Sequence, residues 1–410
     1  MPVRKPNFYY LSLPFSIVNG VVWGIGIVSL PLLAQTASRA GLTFAMVNLG
    51  IAVGAMVWGH LTTKFRLNSL IFSGTVLSFL GWLAIVFFNG RFLVPLAFVF
   101  GMFTASIFTY ASVMITNTYP KELWDKYIAR MQAFMTLGTV TGLLITSVYA
   151  KPVVALPFLL LAVLAYLPFF RHHNKKAVHH HMHFSLLKPK QHFAELFNGY
   201  FHGHIRWKHL LNFKNKALLW LNIRWIFVLL APAPVYAMYP LLMKKAFHLS
   251  TTGASLVYAL STAFGVLLFL WAGRIAAKKS AAFTLNVGVL SYASSFALML
   301  AGILTSLYFV GIFGFMVMIF SWAFISTGMN IRVVELTDER KRGEALGLAN
   351  AFQSIDNVVG GSIGGLLVAS MGYPVILWFG ILFSGIALVL GFFQNKFKTE
   401  SYVVQQEKRR

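Results

Sequence analysis

Apolar residues gather into twelve long runs separated by short polar stretches. Their spacing predicts helices near 9–34, 42–62, 69–89, 92–116, 128–150, 153–170, 217–243, 252–273, 281–304, 306–331, 343–371 and 373–394. Runs of roughly 20 residues, at 1.5 Å rise per residue, match a hydrocarbon layer about 30 Å thick. Glycine and proline recur inside them, as membrane helices allow where neighbouring segments re-satisfy the backbone. The pattern predicts an all-α membrane protein with twelve transmembrane helices, and an even number of crossings places both termini on one side. The first run is too long for a signal-peptide core and lacks a small-residue cleavage site, so it is expected to be the first helix.

Composition agrees with the pattern: hydrophobic residues make up 58% of the 410 residues and charged residues 11%, too much hydrocarbon for one water-soluble core. The net charge of +24 would otherwise suggest a nucleic-acid partner, so its distribution matters. Of the 34 Lys and Arg, 28 fall on the side of the termini. The opposite loops hold only Arg39, Arg91, Lys151, Lys244 and Lys245, and Arg224 lies inside a run. That bias orients both termini to the cytoplasm of a cell inner (plasma) membrane and explains the charge by topology and anionic lipid, with no nucleic acid involved. Cysteine is absent, which removes disulfide frameworks and thiolate metal sites.

One long hydrophilic stretch, 171–216, interrupts the runs. It divides the chain into an N-terminal six-helix bundle (1–170), a basic linker (171–216), a C-terminal six-helix bundle (217–394) and a tail (395–410). Two patterns repeat across the divide. Gly59-His60-Leu61-Thr62-Thr63-Lys64 closes the second run, and Gly273-Arg274-Ile275-Ala276-Ala277-Lys278 closes the eighth. Ala133-Phe134 with Gly142 in the fifth run corresponds to Ala351-Phe352 with Gly360 in the eleventh. Within the linker, Phe193, Leu196, Phe197, Tyr200 and Phe201 share one helical face, which predicts an amphipathic helix on the cytoplasmic membrane surface or against the bundle, with a flexible tether as the alternative. Ten of the 12 histidines also lie there, including His179, His180, His181 and His183. No closed four-ligand spacing accompanies them, so they are read as a solvated basic loop and no metal or cofactor is expected.

With these repeats the chain resembles the major facilitator superfamily of transporters. Tyr119-Pro120 with Arg130, and the segment Thr337–Gly347 leading into the eleventh run, add to the resemblance. It covers the whole chain and implies two pseudo-symmetric six-helix bundles that rock around a midplane substrate site. The family's signature after the second helix carries an acid where Thr63 stands here, and Ala277 replaces it in the second copy. Gly59, Leu61 and Lys64, with Gly273 and Lys278, remain as the implied gating motif. In that fold helices 1, 4, 7 and 10 line the cavity, which nominates Asn19, Trp23, Tyr110, Arg224, Tyr236 and Trp322 as substrate contacts. Gly138 and Gly142 fall where the family's exporters carry a longer glycine-proline motif, of which the proline is missing here.

Asp356 stands apart. Nine of the ten acidic residues fall in loops or helix ends, and Asp356 alone sits deep in a run, on a polar stripe with Asn350 and Gln353. A carboxylate there costs at least ~2.5 kcal/mol on insertion scales and marks a functional site by default. Two readings are open. Asp356 and Arg224 form a structural ion pair, or Arg224 snorkels; alternatively Asp356 exchanges a proton as its surroundings alternate, with Arg224 holding an anionic group or tuning the carboxylate. Gln353, one turn away, joins the substrate list. Glycine pairs at four-residue spacing (Gly20/Gly24, Gly50/Gly54, Gly138/Gly142, Gly360/Gly364, Gly361/Gly365) are read as close packing, between helices 2 and 11 and helices 5 and 8.

No hydrolase triad or Walker motif is present, so the chain is expected to be a secondary carrier and not an enzyme. Proton-coupled efflux of an amphipathic metabolite or drug-like molecule, by a monomer, is the expected function. Import of an anionic nutrient and a non-transporting receptor are the alternatives. Because the chain has no cysteine, its orientation is directly readable. A Lys151→Cys variant is expected to react with a membrane-impermeant maleimide in intact cells, and Lys279→Cys only after permeabilisation.

Overall fold

A computed structural model of the chain describes residues 8–65, 67–118, 124–172, 216–337 and 342–407. They form twelve helices: α1 (Phe8–Ala34), α2 (Ala37–Lys64), α3 (Leu67–Thr118), α4 (Trp124–Val148), α5 (Ala155–His172), α6 (Lys216–Leu230), α7 (Ala233–Lys245), α8 (Thr251–Lys278), α9 (Ala281–Leu304), α10 (Tyr308–Glu335), α11 (Arg342–Met371) and α12 (Pro374–Glu407). No strand occurs among the described residues. The linker's amphipathic stripe and histidine cluster lie outside them, as do Tyr119, Pro120 and Asp338 to Lys341.

Twelve helices and twelve crossings coincide through two compensating departures from the sequence pattern. The third and fourth runs join in α3 without a loop, through the non-helical backbone of Phe88 (φ −118°, ψ 31°) and Gly90 (φ −53°, ψ −113°). The two legs fold back on one another: Trp82 and Phe100 meet edge to face at 4.8 Å between ring centroids. Arg39, at the start of α2, donates to the Gly90 carbonyl and ties that turn down. The seventh run is instead broken into α6 and α7. Pro232 and Pro234 have no N–H to continue the ladder, and the chain turns at Ala231–Pro232 before Tyr236 N resumes bonding, to Pro232 O at 3.0 Å.

The last run also exceeds its expected end at 394. The α12 backbone stays helical to Glu407, because Asn395–Glu407 contains neither glycine nor proline to stop it.

The two halves are bundles of six crossings each. The start of α1 and the end of α12 fall on one side, the terminal side; the Gln35–Thr36 and Gly372–Tyr373 connections mark the far side. Lipid offers no hydrophobic drive between helices, so contact quality decides packing. Glycines supply it. A Cβ on Gly20 would lie 2.8 Å from Thr139 N and 2.9 Å from Gly138 Cα, so α1 and α4 touch backbone to backbone. Gly138 and Gly142 therefore face Ile17 and Val21 of α1 rather than the eighth crossing expected from sequence. The reason is size: α4 meets α8 through Thr146, Ser147, Thr252 and Ser255, whose hydroxyls need width between the helices.

Gly20→Ala is expected to destabilise the protein by about 1–3 kcal/mol, the usual cost of overpacking. Gly265, with nothing within 4 Å of an added Cβ, should accept alanine without loss. Thermal unfolding of the two variants in detergent compares them directly.

Candidate functional site

Polar side chains within these helices mostly satisfy themselves locally. Ser29, Thr75, Ser78 and Ser261 each donate to the carbonyl four residues earlier. The exceptions are informative, because in hydrocarbon an unmatched polar group has no water to turn to.

Hydrogen bonds join the two halves. Thr252 Oγ1 donates to Ser147 O at 2.6 Å, and Thr146 Oγ1 to Ser255 Oγ at 3.4 Å, both at the far ends of α4 and α8. Asn357 Nδ2 donates to Asn48 Oδ1 at 3.1 Å, joining α11 to α2. Between this bond and the far side, α2 and α11 close on small residues: a Cβ on Gly41 would sit 2.8 Å from Gly365 Cα. Asn48 lies ~16 Å along α2 from Ala37, so the seam runs from the far side to about mid-membrane. Toward the far side the two halves are therefore in direct contact through α2 with α11 and α4 with α8.

Asp356 is the residue beside Asn357. It is 4% exposed, and Oδ2 has no hydrogen-bond partner. Its depth, ~21 Å along α11 from Arg342, is that of the seam's inner end. Gly360, one turn further on the same face, abuts Ala233, the first residue of α7. Asp356 therefore sits level with the Ala231–Pro232 break in the seventh crossing. A broken helix beside an isolated carboxylate at the bilayer midplane is a recurrent transporter arrangement.

Arg224 is also buried, at 1% exposure, but turns elsewhere. Its Nε donates to Ala387 O of α12 at 2.9 Å and its Nη2 to Asn286 Oδ1 of α9 at 2.6 Å. The guanidinium lies flat on Gly391, where a Cβ would come within 2.8 Å of Cζ. No ion pair joins Arg224 to Asp356; among the described residues the ion pair found is Arg332–Glu335. The structure thus does not bring these two residues together.

Trp225, the next residue, faces the α10–α11 side. Its indole donates to Ala349 O at 3.1 Å and stacks on Trp322 with centroids 6.1 Å apart. Gln353, half-buried, is one turn past Ala349, so Trp225, Trp322, Gln353 and Asp356 follow one side of the α6–α10–α11 junction. Tyr236, half-buried, faces Tyr292, within a cluster that includes Tyr258 and the stacked pair Tyr239 and Phe315. On α1, Asn19 is 3% exposed and Trp23 half-buried against the core. The Tyr110 and Lys64 side chains lie outside the described residues, as do the surroundings of Gly59. Leu61 packs with Trp58 and Leu70, Gly273 has open space around it, and Lys278 is exposed in the last turn of α8.

Sequence reasoning missed Trp225, Asn48, Asn357, Asn286 and Arg332. The asparagines carried a readable signal, since each is a polar residue inside an apolar run. Arg332 did not, because its position near the end of α10 reads as an interfacial cation, yet it is 1% exposed.

The family model of the Major Facilitator Superfamily matches residues 13–329 and 233–409, overlapping stretches that span nearly the whole chain. The chain belongs to the major facilitator superfamily. Solved structures of the fold agree. A D-xylose-proton symporter superposes with a TM-score of 0.70 at 14% identity, covering 94% of this chain and 97% of that one. The nucleoside transporter NupG, as its D323A mutant, gives 0.69 at 13%, covering 95% and 99%. A bacterial homologue of the human lysosomal transporter Spinster, inward-facing and unoccupied, gives 0.70 at 14%, covering 96% and 98%. No curated protein sequence matches the chain significantly. At these identities the likeness carries the superfamily fold and leaves the substrate to be argued from the site.

The seam gives a direct test. In the cysteine-free chain, Thr146→Cys with Ser255→Cys is expected to cross-link on mild oxidation, since the two hydroxyls are 3.4 Å apart. After protease cleavage in the linker, the halves should stay joined on a gel until a reductant is added.

Proposed function

We propose that this superfamily member is a secondary transporter that moves a small organic solute by alternating access, coupled to protons through Asp356. The observation that carries the reading is the Asp356 carboxylate: buried, without a partner on Oδ2, level with a helix break and beside the bond that ends the far-side seam. A charged carboxylate in hydrocarbon is costly, so protonation is favoured while the site is dry and release is favoured once water reaches it. The two halves cannot open on the far side without separating Asn48 from Asn357, which exposes the neighbouring carboxylate. Proton exchange and gate opening are thereby the same event.

The substrate contacts proposed are Asn19, Trp23, Tyr110, Tyr236, Trp322 and Gln353, with Trp225 added. Aromatic faces and amide groups with little formal charge suit an amphipathic, uncharged or weakly basic organic molecule, and export is the proposed direction. Arg224 enters as a structural cation that holds α6 to α9 and α12, in keeping with its bonds to Asn286 and Ala387. Gly59, Leu61 and Lys64 with Gly273 and Lys278 are proposed as the terminal-side gate, in an inner membrane with that side cytoplasmic.

The test uses proteoliposomes loaded with a pH-sensitive dye and challenged with nucleosides, pentoses, short peptides and lipophilic amines. At least one class should drive proton movement in the wild type. Asp356→Asn should abolish it while retaining solute counterflow. Solute-driven proton movement that survives Asp356→Asn refutes the coupling role, and binding without any flux refutes transport.

A further inference from the structure

Arg332 lies three residues before the end of α10, and its side chain is 1% exposed. Nη1 donates to Glu335 Oε2 at 2.8 Å, and Glu335 is itself 43% exposed. Nε and Nη2 have no acceptor. These two nitrogens form the long edge of the guanidinium, on the opposite side from Nη1, and they present two parallel N–H groups. That edge is the fork that carboxylates and phosphates bind in bidentate fashion.

The surroundings are positive. Gly328, one turn before Arg332, presses on α9, where a Cβ would lie 2.9 Å from Ala281 O and 2.6 Å from Leu285 N. Arg332 therefore stands beside the first turn of α9, capped by Ser280 through Phe283 N at 3.0 Å, where the helix presents its positive end. Arg224 is close enough to repel it and is held to the same helix through Asn286. Of these two buried guanidinium groups, Arg332 pairs with the half-exposed Glu335 carboxylate and Arg224 bonds only neutral acceptors, Ala387 O and Asn286 Oδ1, among the described residues. Buried donors without an acceptor are costly, and the two that Arg332 leaves over call for one.

We propose that the terminal-side base of α9 and α10 is an anion site, in which the Nε/Nη2 edge of Arg332 grips a phosphate group. Phosphate suits the place as well as the fork. The end of α10 lies at headgroup depth on the more basic face, where phosphate is abundant both in anionic lipid and in solution. The site is separate from the Asp356 region, since Arg332 and Arg224 both face α9, away from the seam. Occupying it would neutralise the base of the C-terminal bundle and stiffen α6, α9 and α10 together.

The experiment is thermal unfolding of the full chain in uncharged detergent. Inorganic phosphate is titrated against sodium chloride at equal ionic strength, and phosphatidylglycerol against uncharged detergent alone. The melting temperature of the wild type should rise by about 2–4 °C with at least one of them. A response to phosphatidylglycerol alone assigns a lipid headgroup, and a response to both admits the free ion. Arg332→Met should lose the response and, without ligand, melt no lower than the wild type, because the two unmatched buried donors are gone. If Arg332→Met does not fold, Arg332→Lys serves: a point charge without the fork should keep only part of the shift. No shift in the wild type beyond the chloride control, or a full shift in either variant, overturns the proposal. So does a wild type indifferent to phosphate but destabilised by Glu339→Gln or Glu344→Gln, which would make the anion the chain's own carboxylate.

Discussion

Every polar group carried into the bilayer must find its partner within the protein, and that constraint organises this molecule. It selects helices, since only they close their own backbone bonds. It returns most serine and threonine hydroxyls to the preceding turn. Among the groups it does not return to the preceding turn are the Asn48–Asn357 bond, the Arg224 bridge to Asn286 and Ala387, the half-used Arg332 guanidinium, and Asp356. Each marks a place where something besides packing is required.

These leftovers fall into two groups that do different work. Arg224 and Arg332 point into the C-terminal bundle and bear on its internal cohesion around α9. Asn48, Asn357 and Asp356 lie where the two halves meet, where cohesion must be temporary. A seam of glycines, hydroxyls and one amide pair suits that need. Such contacts are close, yet no ion pair crosses them among the described residues.

Much of the fold was legible in the sequence because the membrane imposes one length and one period on every crossing. The twelve runs, the pairing of halves and the depth of Asp356 all follow from hydropathy and 1.5 Å per residue. Side-chain direction was not legible. Arg224 and Trp225 are adjacent, yet one turns to α9 and α12 and the other to α10 and α11; a change of one residue rotates the helix face by about 100°. The resembled fold makes the seventh and eleventh helices neighbours, which offered Arg224 as a partner for Asp356, and the direction of its side chain separates them. Glycine partners failed for the same reason: Gly138 and Gly142 announce a close neighbour without saying that it is α1.

The break at Ala231–Pro232 divides the seventh crossing between two mechanical bodies. Its far segment, α7, touches α1, α2 and α11, while α6 packs on α12 and α11 and is pinned through Arg224. An unbroken helix would transmit any tilt of one end rigidly to the other. Here a peptide unit without its ladder bonds can absorb the difference, so the far end can follow the seam while the near end stays with its bundle. The prolines make the crossing a universal joint, and the carboxylate of Asp356 lies at its pivot.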